Sequence, residues 1–522
     1  MKQLGIALAL AAAVLAAPAA GKTLRWASQG DPQTADPFSQ NEGLTNMFSQ
    51  SVHDTLVMRD NALRLVPGLA VSWQQVNPTT WRFSLRRGVR FHDGTPFTAD
   101  DVVFSYERAQ HANSQLRQYA APVGRPRRID DHTVEFVQDR PNPITLEHAT
   151  TIYIMSKAWA LKNKVERPLD FKGKEETFAS RNANGTGAWI LASREPGVKT
   201  VLKRNPDWWG AGEGRAPGNV TEVVYTQVSA DATRTAALLS GQIDFVLDPP
   251  PQDLARLDSN RETKVVRGQE NRIVFFGFDQ SRDELLYSNV KGRNPFKDVR
   301  VRRAVYHAID IDALRVRTMR GSALPTGGMT PATLPSSPEI EQRLPHDPAA
   351  ARTLLGEAGF ADGFGVTLDC VNVAWRAAVC QAIAGMLAQV GIRVTFQPSP
   401  SPQFFPKLTQ ATTSFFEVGW TPATDAWPLL NALVRSFGDG GLGAFNAGRY
   451  SNPRLDAIID AIRVEPDIAR RRRLVADALA IMHADLPLIP LYRRTLAWAM
   501  RPVVDAVIWP NDILELRFVR MQ

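Results

Sequence analysis

The sequence predicts an α/β protein of at least two lobes, and three observations carry that prediction. At 522 residues the chain is well past the roughly 250–300 residues at which one hydrophobic core stops growing. Runs with the two-residue period of strands alternate with helical stripes near both ends and in the middle, a pattern foreign to a bundle or a sandwich. Hydrophobic residues make up 44%, enough for ordinary cores and far too few for a polytopic membrane protein.

The elements follow in chain order. Lys2 precedes the uncharged run Leu4 to Leu15, which is short for a membrane span, and Ala17-Pro18-Ala19 supplies small residues for a signal peptidase. Residues 1–19 are therefore expected to be a cleaved export signal. With no Cys in or just after it, a lipid anchor has no attachment point, and a soluble periplasmic protein is expected. Lys22 to Ala27 reads as a first strand, followed by a loop from Gln29 to Phe38 containing Asp31-Pro32 and Asp36-Pro37. Trp81, Phe83 and Leu85 alternate with Arg82 and Ser84, and Arg87-Gly88 is expected to turn that strand into a second run, Val89 to Phe91, closed by Asp93-Gly94. Thr98 and Asp101 have the spacing of an N-cap pair ahead of the apolar stripe Val102, Val103, Tyr106 and Ala109. Gly185 to Ile190 and Arg204 to Gly210 flank a strand at Thr200 to Lys203, and a helix from about Ser229 to Ser240 leads through Gly241 to a strand at Ile243 to Leu247.

The second half carries its own helix starts. Asp298 can cap a helix with Val301, Ala304, Val305 and Ala308 on one face. Asp347-Pro348 and Asn452-Pro453 each place a capping side chain before proline at the first helical position. The first opens a stripe of Ala351, Leu354, Leu355 and Ala358 ended by Gly359; the second opens Leu455, Ile458, Ile459 and Ile462. The only cysteines, Cys370 and Cys380, either pair in an oxidising compartment, as a local staple of about 2–3 kcal/mol, or remain two inert buried thiols. No His lies beside them to complete a metal site. The net charge of +8 is spread along the chain, and the arginines at 470–473 point around most of a helix circumference, so a solvated surface is expected and nucleic acid is not.

The wording of Pro78 to Ala109, P-T-T-W-R-F-S-L-R-R-G-V-R-F-H-D-G-T-P-F-T-A-D-D-V-V-F-S-Y-E-R-A, resembles the large extracytoplasmic solute-binding proteins of bacterial ABC importers, family 5, in their peptide-binding branch. So do Gly185-Thr186-Gly187-Ala188-Trp189-Ile190, with alanine where proline is more usual, and Arg204-Asn205-Pro206-Asp207-Trp208-Trp209-Gly210. The resemblance runs from about Lys22 to Val519. It implies a two-lobed clamp of the Venus-flytrap type, type II, with an extra subdomain in a discontinuous first lobe. Lobe one would take residues 20–268, with the small subdomain at about 60–187, and return over 486–522; lobe two would be 269–485. Crossing segments would lie near Gly268 to Phe278 and Leu486 to Trp498.

A clamp binds by burying its ligand between lobes, so aromatic residues and lone charges on strand ends are the candidates. The segment Gly419-Trp420-Thr421-Pro422-Ala423-Thr424-Asp425-Ala426-Trp427 follows an apolar strand and mixes aromatic faces with one carboxylate. Peptide-binding relatives hold an aspartate three residues after such a tryptophan, for the ligand's α-amino group. Here that position is Ala423 and the nearest acid is Asp425, either a ligand contact or a turn cap. Arg376, just ahead of a helix ending at Gly391, stands where relatives place a base for a carboxylate, and its guanidinium can hold two oxygens at once. From lobe one, the Thr34 to Phe38 loop is expected to close over the ligand with Phe38 as an apolar wall. Catalytic signals are poor: G-x-G-x-x-G at 438–443 lacks a following helix, no G-x-S-x-G or H-E-x-x-H occurs, and the eight histidines are scattered. The expectation is a monomeric receptor, with neither cofactor nor metal, for a short peptide or a peptide-like small molecule, delivering it to the transmembrane subunits of an ABC permease. A metal chelate, opine, haem or oligosaccharide is the alternative ligand, and a secreted hydrolase the alternative class.

Overall fold

The computed structural model describes residues 21–331, 336–421 and 425–522. The expected export signal and Ala423 lie outside the described residues. Lys22–Ser28 forms β1, and its chain then enters a small subdomain built on a four-stranded antiparallel sheet. The strands are β2 (Ala70–Asn77), β3 (Thr80–Leu85), β4 (Arg125–Asp130) and β5 (Thr133–Val137), in the order β2-β3-β5-β4. Helix α1 (Ala99–Gln110) starts as expected, with the Thr98 amide donating to Asp101 Oδ2 at 2.9 Å, and its Val102, Tyr106 and Ala109 are fully buried against Phe83 and Phe136. One expectation changes: Val89 to Phe91 does not pair with β3. Gly88 and Gly94 adopt positive φ, and the run folds onto residues 95–97, with Phe91 N donating to Thr95 O and Phe97 N to Val89 O. Strand β3 pairs instead with β2 and β5.

The chain returns through β6 (Trp189–Glu195), β7 (Lys199–Arg204), β8 (Val220–Gln227) and β9 (Phe245–Val246) to the long strand β10 (Lys264–Phe278). After it come α2 (Val299–Ala308), the short β11 (Ala323–Pro325), α3 (Pro348–Glu357), β12 (Phe364–Val371), α4 (Ala374–Ala388), β13 (Ile392–Ser399) and β14 (Phe415–Trp420). Then α5 (Ala426–Leu433), α6 (Pro453–Val464) and α7 (Ile468–Asp485) precede the second long strand, β15 (Leu488–Met500). The proline-led helices are capped by the residues the sequence marks: Asp347 accepts from the amides of Ala349 and Ala350, and Asn452 from those of Arg454 and Leu455. Cys370, on β12, and Cys380, on α4, are disulfide-bonded inside the second-half core.

One mixed sheet joins both halves in the order β13-β12-β14-β10-β15-β9-β1-β8-β7-β6, with β11 alongside β15. Its centre is the antiparallel pair β10 and β15, the two longest strands among the described residues. Lobe one lies at the Lys264/Met500 end, over a core of Leu24, Trp26, Phe245 and Trp498. Lobe two lies at the Gly277/Leu488 end, over Phe278, Phe296, Val305 and Phe415. Between these ends the register breaks: Gln269 pairs with Thr495 and Ile273 with Arg493, so Glu270, Asn271 and Arg272 bulge out opposite Arg494. The lobes also meet away from the strands, where Ile144 of the small subdomain is buried with Trp427, Leu430 and Ile459 of lobe two.

Candidate functional site

The strand directions locate the crevice. Strand β9 runs parallel to β1 and, through β15, in the sense of β10, so lobe-one strands aim their carboxyl ends at the bulge. Strand β14 runs antiparallel to β10 with Trp420 opposite Ile273, so lobe two aims its carboxyl ends at the same point from the other side. Open α/β sheets bind ligands outside the carboxyl ends of their strands, and here two such edges face each other across the crossing pair.

A space lined by residues of both lobes opens there, and concave sites between lobes are where ligands bind. Lobe one contributes Gln29 and Asp248 from just beyond β1 and β9, lobe two contributes Ser322 and Trp375, and the crossing strand supplies Arg494 and Thr495 as the floor. Asp248 is held in place, its Oδ2 accepting from the Ser28 hydroxyl and the Gln29 amide, both at 3.0 Å, while Arg234 Nε lies 3.1 Å from Oδ1. Burial nevertheless pushes its carboxyl above the usual range, partly offset by Arg234. The Arg494 guanidinium lies over the Trp375 ring, 5.3 Å from its centroid. Its nearest carboxylate, Glu270, is 3.8 Å away and is held more closely by Arg272 at 2.7 Å. Asp512 completes this buried group, accepting from Trp498 Nε1, and burial together with Glu270 pushes its carboxyl up.

Several residues singled out from sequence are placed differently from their expected roles. Arg376 lies inside α4 and spends its guanidinium on buried Glu417, with Nε donating to Oε2 at 2.8 Å and Nη2 to the main-chain oxygen at 3.2 Å. That leaves it satisfied without a ligand. Asp425 is the N-cap of α5, accepting from the Trp427 amide, and both its oxygens take hydrogen bonds from Arg471; the turn-capping alternative describes it. The 34–38 loop is pinned rather than poised to close. Thr34 is buried with its hydroxyl oxygen accepting from the Asp36 amide, and Asp36 forms a bidentate pair with Arg108 in which neither side chain is exposed. Phe38 lies in the small-subdomain core beneath Arg108, not as a wall of the crevice.

The other candidates lie at the end of β14 and the start of α5 and do not line that space. Trp420 is half-buried at the end of β14 with its ring 5.2 Å from that of Phe445, and Thr421 is exposed. Gly419 leaves room for the Arg272 side chain, which a Cβ would meet at 3.0 Å. Trp427 is buried at the contact between lobes, 6.0 Å from the His148 ring. Sequence reasoning missed Arg494, Trp375, Asp248 and Gln29. The usable signal was the doublet Arg493-Arg494 inside the otherwise apolar run Leu488–Met500, because charges within a buried strand need a partner or a purpose.

Comparison with known proteins agrees with this architecture. The family model for bacterial extracellular solute-binding proteins, family 5 (middle), matches residues 64–441. The chain belongs to this family. Among its relatives, the glutathione-binding protein GsiB of Salmonella choleraesuis (strain SC-B67) is 26% identical, the match covering 93% of this chain and 92% of that protein. The dipeptide-binding protein of Escherichia coli K12 is 24% identical over 97% of this chain and 95% of its own. The Helicobacter pylori periplasmic binding protein DppA, solved with the peptide STSA, superposes with a TM-score of 0.82 at 21% identity, covering 96% of this chain and 98% of that one. The agropinic-acid complex of AgaA from A. tumefaciens R10 gives the same TM-score at 23% identity, covering 96% and 99%. This family 5 chain therefore shares the two-lobed binding-protein fold. Among the described residues no helix is long and apolar enough to cross a membrane.

Proposed function

We propose that this family 5 protein is the periplasmic receptor of an ABC importer, capturing short peptides or peptide-like solutes between its lobes and presenting the closed form to the permease. The observation that carries this reading is the crevice itself, where strand ends of both lobes meet over a floor of Arg494 and Thr495 beside Trp375. Relatives named for glutathione and for dipeptides support the ligand class. In this reading lobe one comprises residues 20–268 and 486–522 and lobe two residues 269–485, with export directed by residues 1–19 and the receptor working as a monomer without catalysis. Ligand contacts across the crevice favour the closed state; a micromolar ligand supplies about 8 kcal/mol, ample to shift two states a few kcal/mol apart.

A second ligand class has its own support. With Asp425 committed to Arg471, no acid of the described part of the 419–427 segment is free for a ligand α-amine, which favours solutes bound through other groups, as an opine would be. The deciding experiment is to denature receptor purified from its native periplasm and identify the released solute by mass spectrometry. A peptide or γ-glutamyl compound supports the first ligand class and an opine the second; measurable turnover of ester, peptide or glycoside substrates, abolished by a crevice mutation, would overturn the receptor reading.

A further inference from the structure

Resting on that receptor reading, we infer that Arg494, not Arg376, takes the carboxylate of the ligand, and that the receptor selects solutes with a free carboxylate at the hinge end of the crevice. Arginine presents up to five N–H donors in a planar fork matched to two carboxylate oxygens. Arg234, the other arginine that lines this space, and Arg376 beside it spend their guanidinium groups within the protein. Arg376 holds Glu417, and Arg234 donates to Asp231 and to the main-chain oxygens of Val228 and Asp248. Arg272 is ion-paired with Glu270 at 2.7 Å and is not among the residues that line the space. Among the described residues the Arg494 side chain donates no hydrogen bond; its one ion pair is the long 3.8 Å approach to Glu270, Asp512 and Asp248 act on it from farther off, and it keeps 17% exposure at the space it lines.

Placement and orientation agree with that role. Arg494 stands opposite the Glu270–Arg272 bulge, where the carboxyl ends of both lobes' strands converge, and Trp375 from lobe two covers one of its faces. A cation–π contact on the tryptophan ring leaves the N–H donors of the guanidinium for an anion. Thr495, next along the strand, also borders the space. A carboxylate seated there touches the crossing strand and lies beside a lobe-two tryptophan, so its binding is tied to the geometry of the closed hinge.

The test is calorimetric titration of the full mature chain with glutathione and with di- and tripeptides, each as free acid and as C-terminal amide. Wild-type protein is expected to prefer free acids, and Arg494→Gln to weaken them by about 10- to 100-fold while leaving the amides unchanged, so that the acid-to-amide ratio collapses toward one. Arg494→Lys should restore part of the ratio. Arg376→Gln should lower the melting temperature and keep the ratio. If Arg494→Gln does not fold, Trp375→Ala is the second variant, expected to reduce the ratio several-fold. A ratio unchanged in folded Arg494→Gln or, failing that, in Trp375→Ala overturns the assignment and leaves the receptor reading standing. Failure of wild-type protein to bind any of these probes overturns the peptide reading and this assignment together.

Discussion

Asp36 and Arg108 show at the residue scale what a sequence motif conceals. In the string Ala35-Asp36-Pro37-Phe38 the acid reads as a loop residue, yet it is fully buried, and Arg108 holds its carboxyl below the usual range against the opposing effect of desolvation. Arg108→Met leaves that carboxylate without its counter-charge and should cost about 3–5 kcal/mol, read as the shift in urea unfolding at constant m; a cost under about 1 kcal/mol would show that Asp36 finds other solvation. Asp425 is the matching case in lobe two. Asp425→Ala removes a helix cap and a bidentate partner of Arg471, for an expected loss of about 1–3 kcal/mol, while ligand affinity measured by calorimetry stays within about twofold of wild type. A larger loss of affinity would return Asp425 to the list of ligand contacts.

At the scale of elements, the family-like strings at 185–190 and 204–210 acquire a common cause. Thr186 Oγ1, Trp208 Nε1 and Trp209 Nε1 all donate to Asp54 Oδ2, at 3.0, 3.1 and 2.7 Å, a buried acid that no periodicity singled out. The glycines on either side of Thr186 allow this bend to press on the end of the helix Gly43–Val52: a Cβ on Gly185 would stand 2.1 Å from the Val52 oxygen, and on Gly187 2.6 Å from it. Backbone cannot move aside as a side chain can, so Gly185→Ala should destabilise by about 1–3 kcal/mol or more, measured by thermal unfolding, with loss of Trp208 and Trp209 fluorescence shielding. An unchanged melting temperature would mean that this contact is not required. The helix starts at Asp298, Asp347 and Asn452 were legible because a cap acts within three residues of itself. The partner of Val89 to Phe91 was not, because strand pairing depends on where the turn at Gly88 sends the chain.

Across the whole molecule, the contact between the small subdomain and lobe two contains one titratable switch point. His148 is buried beside Trp427, with Asn142 and Tyr119 on its own side and Asp425 and Arg463 across the interface. Desolvation lowers its pKa from 6.5 to about 4, Asp425 opposing that shift and Arg463 adding to it. An opening that frees this contact would return the ring toward water and its ordinary pKa. Between pH 6.5 and about 4 the open form therefore binds more protons, so closure weakens as pH falls through that window and changes little below it. Small-angle scattering of ligand-bound receptor should show the compact form giving way to the open one over this range, and His148→Asn should flatten the response. His53 also stays neutral when buried, but it sits within lobe one, hydrogen-bonded to Ile154 O, and does not distinguish open from closed. A response identical in wild type and His148→Asn would remove His148 from the mechanism.

What the sequence by itself determined is the class of molecule: two α/β lobes, the family scaffold and the helix caps, all of which depend on period, local capping or long matching strings. What only the tertiary structure decided is which charges remain available to a ligand. Arg376 and Asp425 look free in the chain because their partners, Glu417 and Arg471, stand 41 and 46 residues away, whereas Arg494 looks like half of a solvated doublet and lies in the crevice with its donors unused. Charge neutralisation is a through-space property; two facing sheet edges and one break in register settle it, and neither leaves a periodic trace in the sequence.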